Sequence, residues 1–328
     1  MKITSAHGGG GKMMNDLIHT IFEKNFSNEI LSRMEDSAVL SLPQKRIAFT
    51  TDSFVVTPLF FPGGDIGRLS VCGTVNDLLM RGAAPRYLSA GFILEEGLDT
   101  DVLEKAVVSM QAAAMEAGVQ IVTGDTKVIE GRGGLYINTA GIGVMETGLD
   151  ISVSNAREGD AVIISGDMGN HHACILSARM NIQNSILSDC APLNQMVMAL
   201  LQSGIEIHTM RDITRGGLGT VLHEIALASK IHIALSGNMP LADDQVSGFC
   251  DILGLDPLYM GNEGKMALVL PKKDAGRAVD IIHACRYGTH ARIIGEAING
   301  TSGVTIRTRS GATRLVEPLP GEGLPRIC

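Results

Sequence analysis

The sequence has no tryptophan, and only 4% of its 328 residues are aromatic. None of its six cysteines forms a C-x-x-C pair, which argues against a zinc ribbon or a thioredoxin-like redox motif. No apolar run approaches the roughly 20 residues needed to span a bilayer, and the first fifteen residues lack the apolar core of a signal peptide. We therefore expect a cytoplasmic protein without a membrane segment.

Positive charge is also scarce, because 27 Lys and Arg stand against 35 Asp and Glu and give a formal net charge of −8. Phosphate-backbone binding relies on clustered Lys and Arg, so neither a nucleic acid nor an anionic membrane is expected as a partner. What the chain does have is a 45% apolar fraction and 39 glycines. This composition indicates a large core with many tight loops, as in an α/β protein.

Strand-like and helix-like patterns alternate along the chain, and small polar residues interrupt them near 148–159. We predict a first domain over 1–150 and a second over 151–317. Residues 318–328 include three prolines and two glycines, which predicts an extended, mobile tail that ends in Cys328. The other five cysteines lie in apolar, periodic surroundings and are predicted to be buried free thiols.

Periodicity and breaker residues give an approximate set of elements. Helices are predicted over 66–81, 101–117 and, about, 191–203, 216–230 and 274–285. Strands are predicted over 46–51, 87–94, 119–123, 135–144, 161–165, 231–235, 265–270 and 291–295, before a hairpin that turns at 310–311.

Four acidic residues fall at predicted loop-like junctions of the first half: Asp36, Asp52, Asp77 and Asp125. Carboxylates that converge at one sheet edge can bind Mg2+ that bridges the phosphates of a nucleotide. Asp is also a common helix cap and turn residue, so each of the four has a purely structural alternative. Their recurrence favours a metal and nucleotide site.

A run of four glycines followed by Lys12 suits close approach of backbone amides to phosphates. It does not match the Walker A pattern, and it predicts either a lid over a triphosphate or an unstructured segment. The stretch 211–218 places two Arg and two Gly before a helix, a setting suited to anion binding.

Three further positions are weaker candidates. Glu263 lies between glycines in G-N-E-G-K, where it could act as a positioned base, and Lys127 follows Asp125 in G-D-T-K. Each stretch could equally be a polar turn. The pair at 171–172, His-His, lacks other ligands at suitable spacing, so a surface or helix-start position is expected.

Eight motifs together resemble one known family: AHGGGG (6–11), TTDS (50–53), PLFFPGG (58–64), AGFILEEG (90–97), VTGDTKV (122–128), DITRGG (212–217), NEGK (262–265) and PRIC (325–328). Over its whole length the chain resembles the HypE family of hydrogenase maturation proteins. The internal motifs are shared with the wider aminoimidazole ribonucleotide synthetase-like (PurM-like) superfamily, which includes thiamine monophosphate kinase and selenophosphate synthetase. The PRIC ending separates HypE from those relatives.

The resemblance implies a two-domain α/β (α+β) PurM-like fold whose N-terminal sheet forms a homodimer and the ATP site. It implies an ATP-dependent carbamoyl dehydratase that converts an S-carbamoyl group on Cys328 to an S-cyanate (thiocyanate). That group would supply the cyanide ligands of the [NiFe] hydrogenase iron. The implied partners are the carbamoyltransferase HypF, which loads Cys328, and the HypC–HypD complex, which receives the product.

Residue roles carry over motif by motif. Cys328 would bear the carbamoyl group, Glu263 would remove its nitrogen proton, and Lys127 would polarise its oxygen or tune Glu263. Mg2+ would be held by Asp36, Asp52, Asp77 and Asp125. ATP would contact Gly8, Gly9, Gly10, Gly11, Lys12, Asp36, Asp52, Asp77, Asp125 and Asp212.

Two rival functions stay open. The first is a small-molecule kinase or synthetase of the same superfamily, in which Cys328 is incidental. The second is a non-catalytic ATP-binding carrier that presents a modified cysteine to a partner. The kinase or synthetase would keep its activity after Cys328→Ala. The carrier would lose no water when the carbamoylated protein is given ATP.

Overall fold

The computed structural model describes residues 11–17, 38–41, 46–237, 241–308 and 311–319. It confirms the predicted mixed α/β class, with two separate sheets that follow one another along the chain. The helices are α1 (Lys12–Leu17), α2 (Ile66–Met80), α3 (Thr100–Ala117), α4 (Asn170–Met180), α5 (Asn194–Gln202), α6 (Gly217–Ser229), α7 (Asp244–Leu253) and α8 (Ala275–His283). The strands are β1 (Ala38–Ser41), β2 (Arg46–Phe54), β3 (Phe60–Phe61), β4 (Gly64–Asp65), β5 (Ala83–Glu95), β6 (Gln120–Ile129), β7 (Leu135–Met145), β8 (Asp160–Ile164), β9 (Thr209–Asp212), β10 (His232–Leu235), β11 (Met266–Pro271), β12 (Arg292–Ile298), β13 (Gly303–Arg307) and β14 (Thr313–Val316).

The first sheet has five strands in the order β1-β2-β7-β5-β6, and only the β5–β6 pair is parallel. A parallel pair needs a crossover connection, which α3 supplies. The helix begins after Asp99, whose carboxylate accepts a hydrogen bond from the N–H of Asp101, and ends at Gly118 with φ +69°. Together α2 and α3 cover one face of this sheet.

The opposite face of the first sheet carries apolar side chains that the described residues leave exposed. Burial alternates along β7, because successive side chains point to opposite sides of a strand. Ile142 lies in register between Phe49 of β2 and Tyr87 of β5. We call this surface the outer face and define it by Phe49, Tyr87, Ile93, Ile129 and Ile142, which are 36–48% exposed.

The second sheet has seven strands in the order β14-β13-β10-β12-β8-β11-β9. Every residue of β8 is buried, and in β11 only the last residue is partly exposed. Ile163 packs into the core formed with α5 and α8, whereas Val162 and Ile164 pack into a second core with α6. Such strands, covered on both faces, are uniformly apolar rather than alternating.

Polar contacts tie the two sheet units together. Arg68 of α2 donates to the carbonyl oxygen of Cys190 (2.8 Å) and to the hydroxyl of Tyr287 (3.2 Å), and it pairs with Glu116 of α3 (2.8 Å). The side-chain amide of Asn76 donates to the carbonyl oxygen of Ala191 (3.0 Å). Helices α2 and α3 of the first half are therefore bonded directly to residues of the second half.

The structure corrects several predictions and confirms others. Strand β9 and helix α7 were not predicted. His171 and His172 lie at the start of α4, which was one of the two expected positions, and both are buried rather than on the surface. His171 bonds to the Ser188 hydroxyl (2.8 Å), and burial lowers the pKa of His172 to about 4. The prediction of buried free thiols is confirmed for Cys72, Cys174, Cys190, Cys250 and Cys285.

Candidate active site

The segment that carries Glu263 is held by its neighbour Asn262, which is fully buried. The side-chain amide of Asn262 donates to the carbonyl oxygens of Ile213 (3.0 Å) and Met260 (3.1 Å). Its amide oxygen accepts from the N–H of Gly169 (2.7 Å). With both ends of this side chain bonded, the turn before β11 is fixed in position.

Glu263 itself is anchored through its backbone. Its N–H donates to Asp189 Oδ1 (2.8 Å), and its carbonyl oxygen accepts a longer bond from Asn76 (3.4 Å). At Gly264 a Cβ atom would lie 2.0 Å from the carbonyl oxygen of Asp189, so only glycine fits there. Gly264 thus allows the chain beside Glu263 to pack closely against Asp189.

The side chain of Glu263 lies among other carboxylates. It is 5% exposed, and burial together with the charges of Asp52, Asp212 and Asp189 raises its pKa well above the usual range. Arg215 opposes this shift. We call Asp52, Asp189, Asp212 and Glu263 the acidic cluster. It holds more negative charge than Arg215 can offset, which is a setting suited to a general base or to cations brought by a ligand.

Two other members of the acidic cluster, Asp212 and Asp52, also have raised pKa values. Burial raises the pKa of Asp212 to about 6, with Asp52 adding to the shift and Arg211 opposing it. Burial also raises the pKa of Asp52, although the N–H of Ser53 bonds to its carboxylate (2.8 Å) and Arg215 opposes the rise. The last residue of β9 and a residue inside β2 are thereby brought into electrostatic contact across the two halves of the molecule.

Helix α6 begins immediately beyond this cluster. Gly216 and Gly217 have φ of +80° and +65°, and no side chain caps the helix. A Cβ atom on Gly217 would lie 2.4 Å from the carbonyl carbon of Tyr259. The uncapped N–H groups of α6 and the guanidinium of Arg215 are suited to anion binding, as the sequence predicted for 211–218.

The structure corrects the assignment of Asp52 and Asp125 to loop-like junctions, whereas Asp77 lies inside the helix predicted over 66–81. Asp52 lies within β2, because that strand stays paired with β7 as far as Phe54. Asp77 lies within α2 and accepts a hydrogen bond from the Thr50 hydroxyl (2.8 Å). Asp125 lies within β6, which runs beside β5 as far as Ile129.

Lys127 is not brought to Glu263 within one chain. It lies exposed on β6, and the charges that act most strongly on Glu263 do not include it. Strands β7 and β5 separate β6 from β2, which carries Asp52. At about 4.8 Å per strand, roughly 14 Å lies between β2 and β6.

The glycine run and the tail are described only in part. Asp36, Gly8, Gly9, Gly10 and Cys328 lie outside the described residues. Gly11 and Lys12 are described, and Lys12 pairs with Asp16 (2.6 Å) in an exposed contact. The N–H of Lys12 donates to the carbonyl oxygen of Leu319 (3.0 Å), so the end of the glycine run touches the start of the tail.

No group of three or more His, Cys, Asp or Glu side chains in the described part of the chain is arranged to hold a metal ion by itself. The charge balance still fits a cation, because the carboxyls of Asp52, Asp212 and Glu263 all have raised pKa values. A divalent ion bound here would need further oxygen ligands, of the kind that phosphates provide.

Sequence reasoning missed Asp189 and the anchoring roles of Asn76 and Asn262. Asp189 stands in no recognisable motif, so no sequence signal indicated it. The two Asn residues each precede a predicted site residue, Asp77 and Glu263, and that adjacency was the available signal. Separately, no helix among the described residues combines the length and apolar composition needed to cross a membrane.

Comparison with known proteins gives full-length matches. The sequence matches the family described as AIR synthase related protein, through its N-terminal domain over 34–145 and its C-terminal domain over 157–307. A carbamoyl dehydratase HypE from Rhodobacter capsulatus is 44% identical over 336 residues, covering 100% of this chain and 98% of its own length.

Solved structures agree. A crystal structure of the hydrogenase maturation protein HypE in complex with ATP is 46% identical, with a TM-score of 0.84 and 98% of each chain covered. A chain from the crystal structure of a HypE–HypF complex is 46% identical, with a TM-score of 0.88, 92% of this chain covered and 99% of that one.

Proposed function

Because this chain belongs to the AIR synthase related family and, within it, to the HypE carbamoyl dehydratases, we propose that it uses ATP to dehydrate a carbamoyl group on its own Cys328. The product is an S-cyanate that supplies the cyanide ligands of [NiFe] hydrogenase. The activity itself, an ATP-dependent carbamoyl dehydratase of hydrogenase maturation, follows from the family. The site of the carbamoyl group and the steps below are our proposal.

The reaction requires activation of a poor leaving oxygen. The oxygen of Cys328–S–C(=O)–NH2 attacks the γ-phosphorus of ATP, the bond to ADP breaks, one of the two nitrogen protons is released, and an O-phosphorylated imidate forms. Loss of the remaining nitrogen proton and of inorganic phosphate then leaves Cys328–S–C≡N. The chain has to align oxygen and phosphorus, balance the charge that develops on the phosphate, and accept the proton.

Glu263 is the base, and its environment is the observation that carries this proposal. A buried carboxylate beside Asp52 and Asp212 holds a proton more tightly than an exposed one, and is therefore a stronger base. The hydrogen bonds of Asn262 fix the chain on which it stands. A fixed base suits removal of a proton from a group that reacts in one orientation.

The triphosphate would lie between the start of α6 and the acidic cluster. N–H groups at the start of α6, which no side chain caps, and the guanidinium of Arg215 would bind phosphate oxygens. Mg2+ would be held by Asp52, with Asp36 and Asp77 as the other predicted ligands of the same chain, and would neutralise phosphate charge. Asp125 lies on β6, which two strands separate from β2, so in a homodimer the other subunit would contribute it. The raised pKa values of Asp52 and Asp212 support this placement, because a cation bound there would relieve their repulsion.

The outer face supports a homodimer. Its five apolar side chains form a patch that the described residues leave uncovered, and such patches mark interaction surfaces. Ile93, a member of the patch, lies in register with Lys127. In a dimer built on this face, Lys127 would approach the interface, where it could polarise the carbamoyl oxygen or tune Glu263 of the other subunit.

HypF would load Cys328 with the carbamoyl group, and the HypC–HypD complex would accept the cyano group. The known HypE–HypF complex supports the first assignment. Five buried free thiols are consistent with a reducing compartment, so we place the reaction in the cytoplasm.

The intact mass of the protein tests this function. Carbamoylated protein given ATP and Mg2+ should lose about 18 Da, the mass of one water, in the fragment that contains Cys328. Glu263→Gln should keep ATP binding but slow this loss by about 100-fold or more, because the base is removed. Glu296→Gln, on the surface in an ion pair with Lys272, is the matched control and should react normally.

Two outcomes would contradict the proposal. Carbamoylated protein that keeps its mass would favour the carrier function. An enzyme that still consumes ATP on a soluble acceptor after Cys328→Ala would favour a kinase or synthetase.

A further inference from the structure

The loss of water from the carbamoyl group takes both protons from one nitrogen atom. The first leaves as the O-phosphorylated imidate forms, and the second leaves as the imidate breaks down to the cyano group. A carboxylate holds a single proton, so Glu263 has to pass on the first before it can accept the second. One proton can depart with the phosphate, as hydrogen phosphate, and the other has to reach solvent.

Glu263 is poorly placed to give its proton directly to water. Its side chain is only 5% exposed, and in the proposed complex the reactants would cover the side that faces the acidic cluster. A cavity of about 390 Å3 lies in the second half, but Glu263 does not line it. A path from Glu263 to the water in this cavity therefore needs a group between them.

Asp189 connects Glu263 to the cavity. Its Oδ1 atom accepts the backbone N–H of Glu263 (2.8 Å), and its side chain forms part of the cavity wall. Its Oδ2 atom is buried and has no hydrogen-bond partner within the described part of the chain. A carboxylate oxygen without a donor is available to accept a proton or a water molecule.

The other acids on the cavity wall already have protein partners. Asp167 pairs with Arg292 (2.9 Å) and with His290. Asp243 accepts from the side chain of Asn170 (2.8 Å) and caps α7 through its other oxygen. Of the acids on this wall, Asp189 is therefore the one with both a bond to Glu263 and an oxygen left for a proton.

Two opposing influences act on the carboxyl of Asp189. Burial raises its pKa, and the positive charge of Lys265, which also lies on the cavity wall, lowers it. Such a group can take up a proton and release it again. The cavity itself opens to solvent, because the side chains of Arg286 and His290 on its wall are 71% and 62% exposed.

We propose that Asp189 relays the proton of Glu263 to solvent. The O–H bond of protonated Glu263 breaks and an O–H bond forms at Asp189 Oδ2, directly or through one water. A water molecule in the cavity then takes the proton as hydronium, which restores both carboxylates before the second step. This inference rests on the proposed function, in which Glu263 is the base, and adds the path by which its proton leaves.

Asp189→Asn separates relay from support. The amide oxygen of Asn can still accept the N–H of Glu263, but the side chain cannot carry a proton between two groups. Burial disfavours the charged form of Asp189, so a neutral side chain of the same shape should not lower stability. Urea unfolding and ATP binding check that the variant is folded.

The measurement is the rate of water loss, followed by intact mass after carbamoylated protein is mixed with ATP and Mg2+. It is made in dilute buffer and in concentrated imidazole, a small base that can enter the cavity and take over proton transfer. In dilute buffer, Asp189→Asn should react at least about tenfold more slowly than the unchanged protein. Imidazole should restore most of that rate. The unchanged protein and Asp244→Asn, which changes an exposed acid of α7, should react equally fast in both solutions.

Two results would overturn the relay. The first is a normal rate for Asp189→Asn in dilute buffer. The second is a slow rate that imidazole does not raise, because a dissolved base cannot replace a purely structural role. The proposed function fails in a different way, since the unchanged protein would then keep its mass. A normal loss of water beside either of the two results refutes the relay alone.

Discussion

The two sheets of this protein use their faces in opposite ways. In the second sheet, β8 and β11 are covered on both sides, and Ile163 is fully buried. In the first sheet, only one side is covered by α2 and α3, and Ile142 on the outer face is 36% exposed. An isoleucine in a strand can therefore serve the core in one half and an interface in the other. We therefore expect the second sheet to contribute mainly to the stability of the fold and the outer face of the first sheet to mediate assembly.

The same substitution in both sheets should break this comparison most clearly. Ile163→Asp places a charge in a closed core and should lower the free energy of unfolding by more than about 4 kcal/mol, enough to prevent folding. Ile142→Asp should change that free energy by only about 1 kcal/mol, because its side chain is partly hydrated already. Urea unfolding monitored by circular dichroism gives both values.

Ile142→Asp should instead alter assembly. Light scattering coupled to size-exclusion chromatography should show a dimer for the unchanged protein and a monomer for this variant, because the charge falls within the outer face. A variant that stays dimeric would show that the patch has another occupant. Ile298→Asp, at a site that is also 36% exposed but lies in the second sheet, is the control and should stay dimeric.

A substitution in the acidic cluster should have an effect of intermediate size on the free energy of unfolding. The folded state holds the proton of Asp212 up to a pH of about 6, whereas an unperturbed Asp releases it near 3.8. The folded state thus binds more protons between these values, so stability falls as the pH rises from about 4 to 6 and then levels off. Asp212→Asn removes this loss and should raise the unfolding free energy at pH 7 by about 1–3 kcal/mol.

The measurement is urea unfolding at pH 4, 5, 6 and 7. The free energy of unfolding of Asp212→Asn should increase relative to that of the unchanged protein as the pH rises. Asp101→Asn, which changes an exposed residue of α3, should have the same free energy of unfolding as the unchanged protein at each pH. A constant difference at all four values would show that the Asp212 carboxylate is already neutralised by a partner at pH 7.

The smallest effect concerns how helices end in the two halves. Helix α3 ends at Gly118 (φ +69°), whereas α6 ends at Lys230, which holds a similar left-handed backbone at φ +57°. Gly118→Ala should destabilise the protein by about 1 kcal/mol through backbone strain alone, since no atom lies within 4 Å of the added Cβ. Lys230→Gly should stabilise it by about 0.5–1 kcal/mol. Thermal unfolding measures both, and equal signs would contradict the comparison.

Strands and helices were predicted best where one hydrophobic period dominates the sequence. Alternating or uniformly apolar runs located most strands and helices to within a few residues, because burial of one face or of both imposes those patterns. The start of β5 was misplaced, since Ala83 and Ala84 carry little hydrophobic signal before Tyr87. Short elements such as β9 and α7 were missed because four to ten residues give too few repeats to establish a period.

The site was predicted in its parts but not in its arrangement. Glu263 and Asp212 were identified from glycine-rich contexts, and both lie in the acidic cluster. Their convergence with Asp52 and Asp189 depends on how the two halves pack, which no local pattern encodes. Lys127 and Asp52 were assigned to one site by motif, yet a sheet places them on strands separated by two others. Distance across a sheet is a property of strand order and not of sequence spacing.

Asn76 limits how the two halves can move. Its side-chain amide donates to the carbonyl oxygens of Ala191 and Glu263, and its oxygen accepts the N–H of Leu193 (2.9 Å). Opening the junction like a hinge would expose the buried amide of Asn76 and would remove the Asn76 partner of the Ala191 carbonyl and of the Leu193 N–H, at a free-energy cost of several kcal/mol. We therefore expect the junction between the two halves to stay closed during the reaction, so that the reactants enter an existing cleft instead of one formed by closure of the two halves.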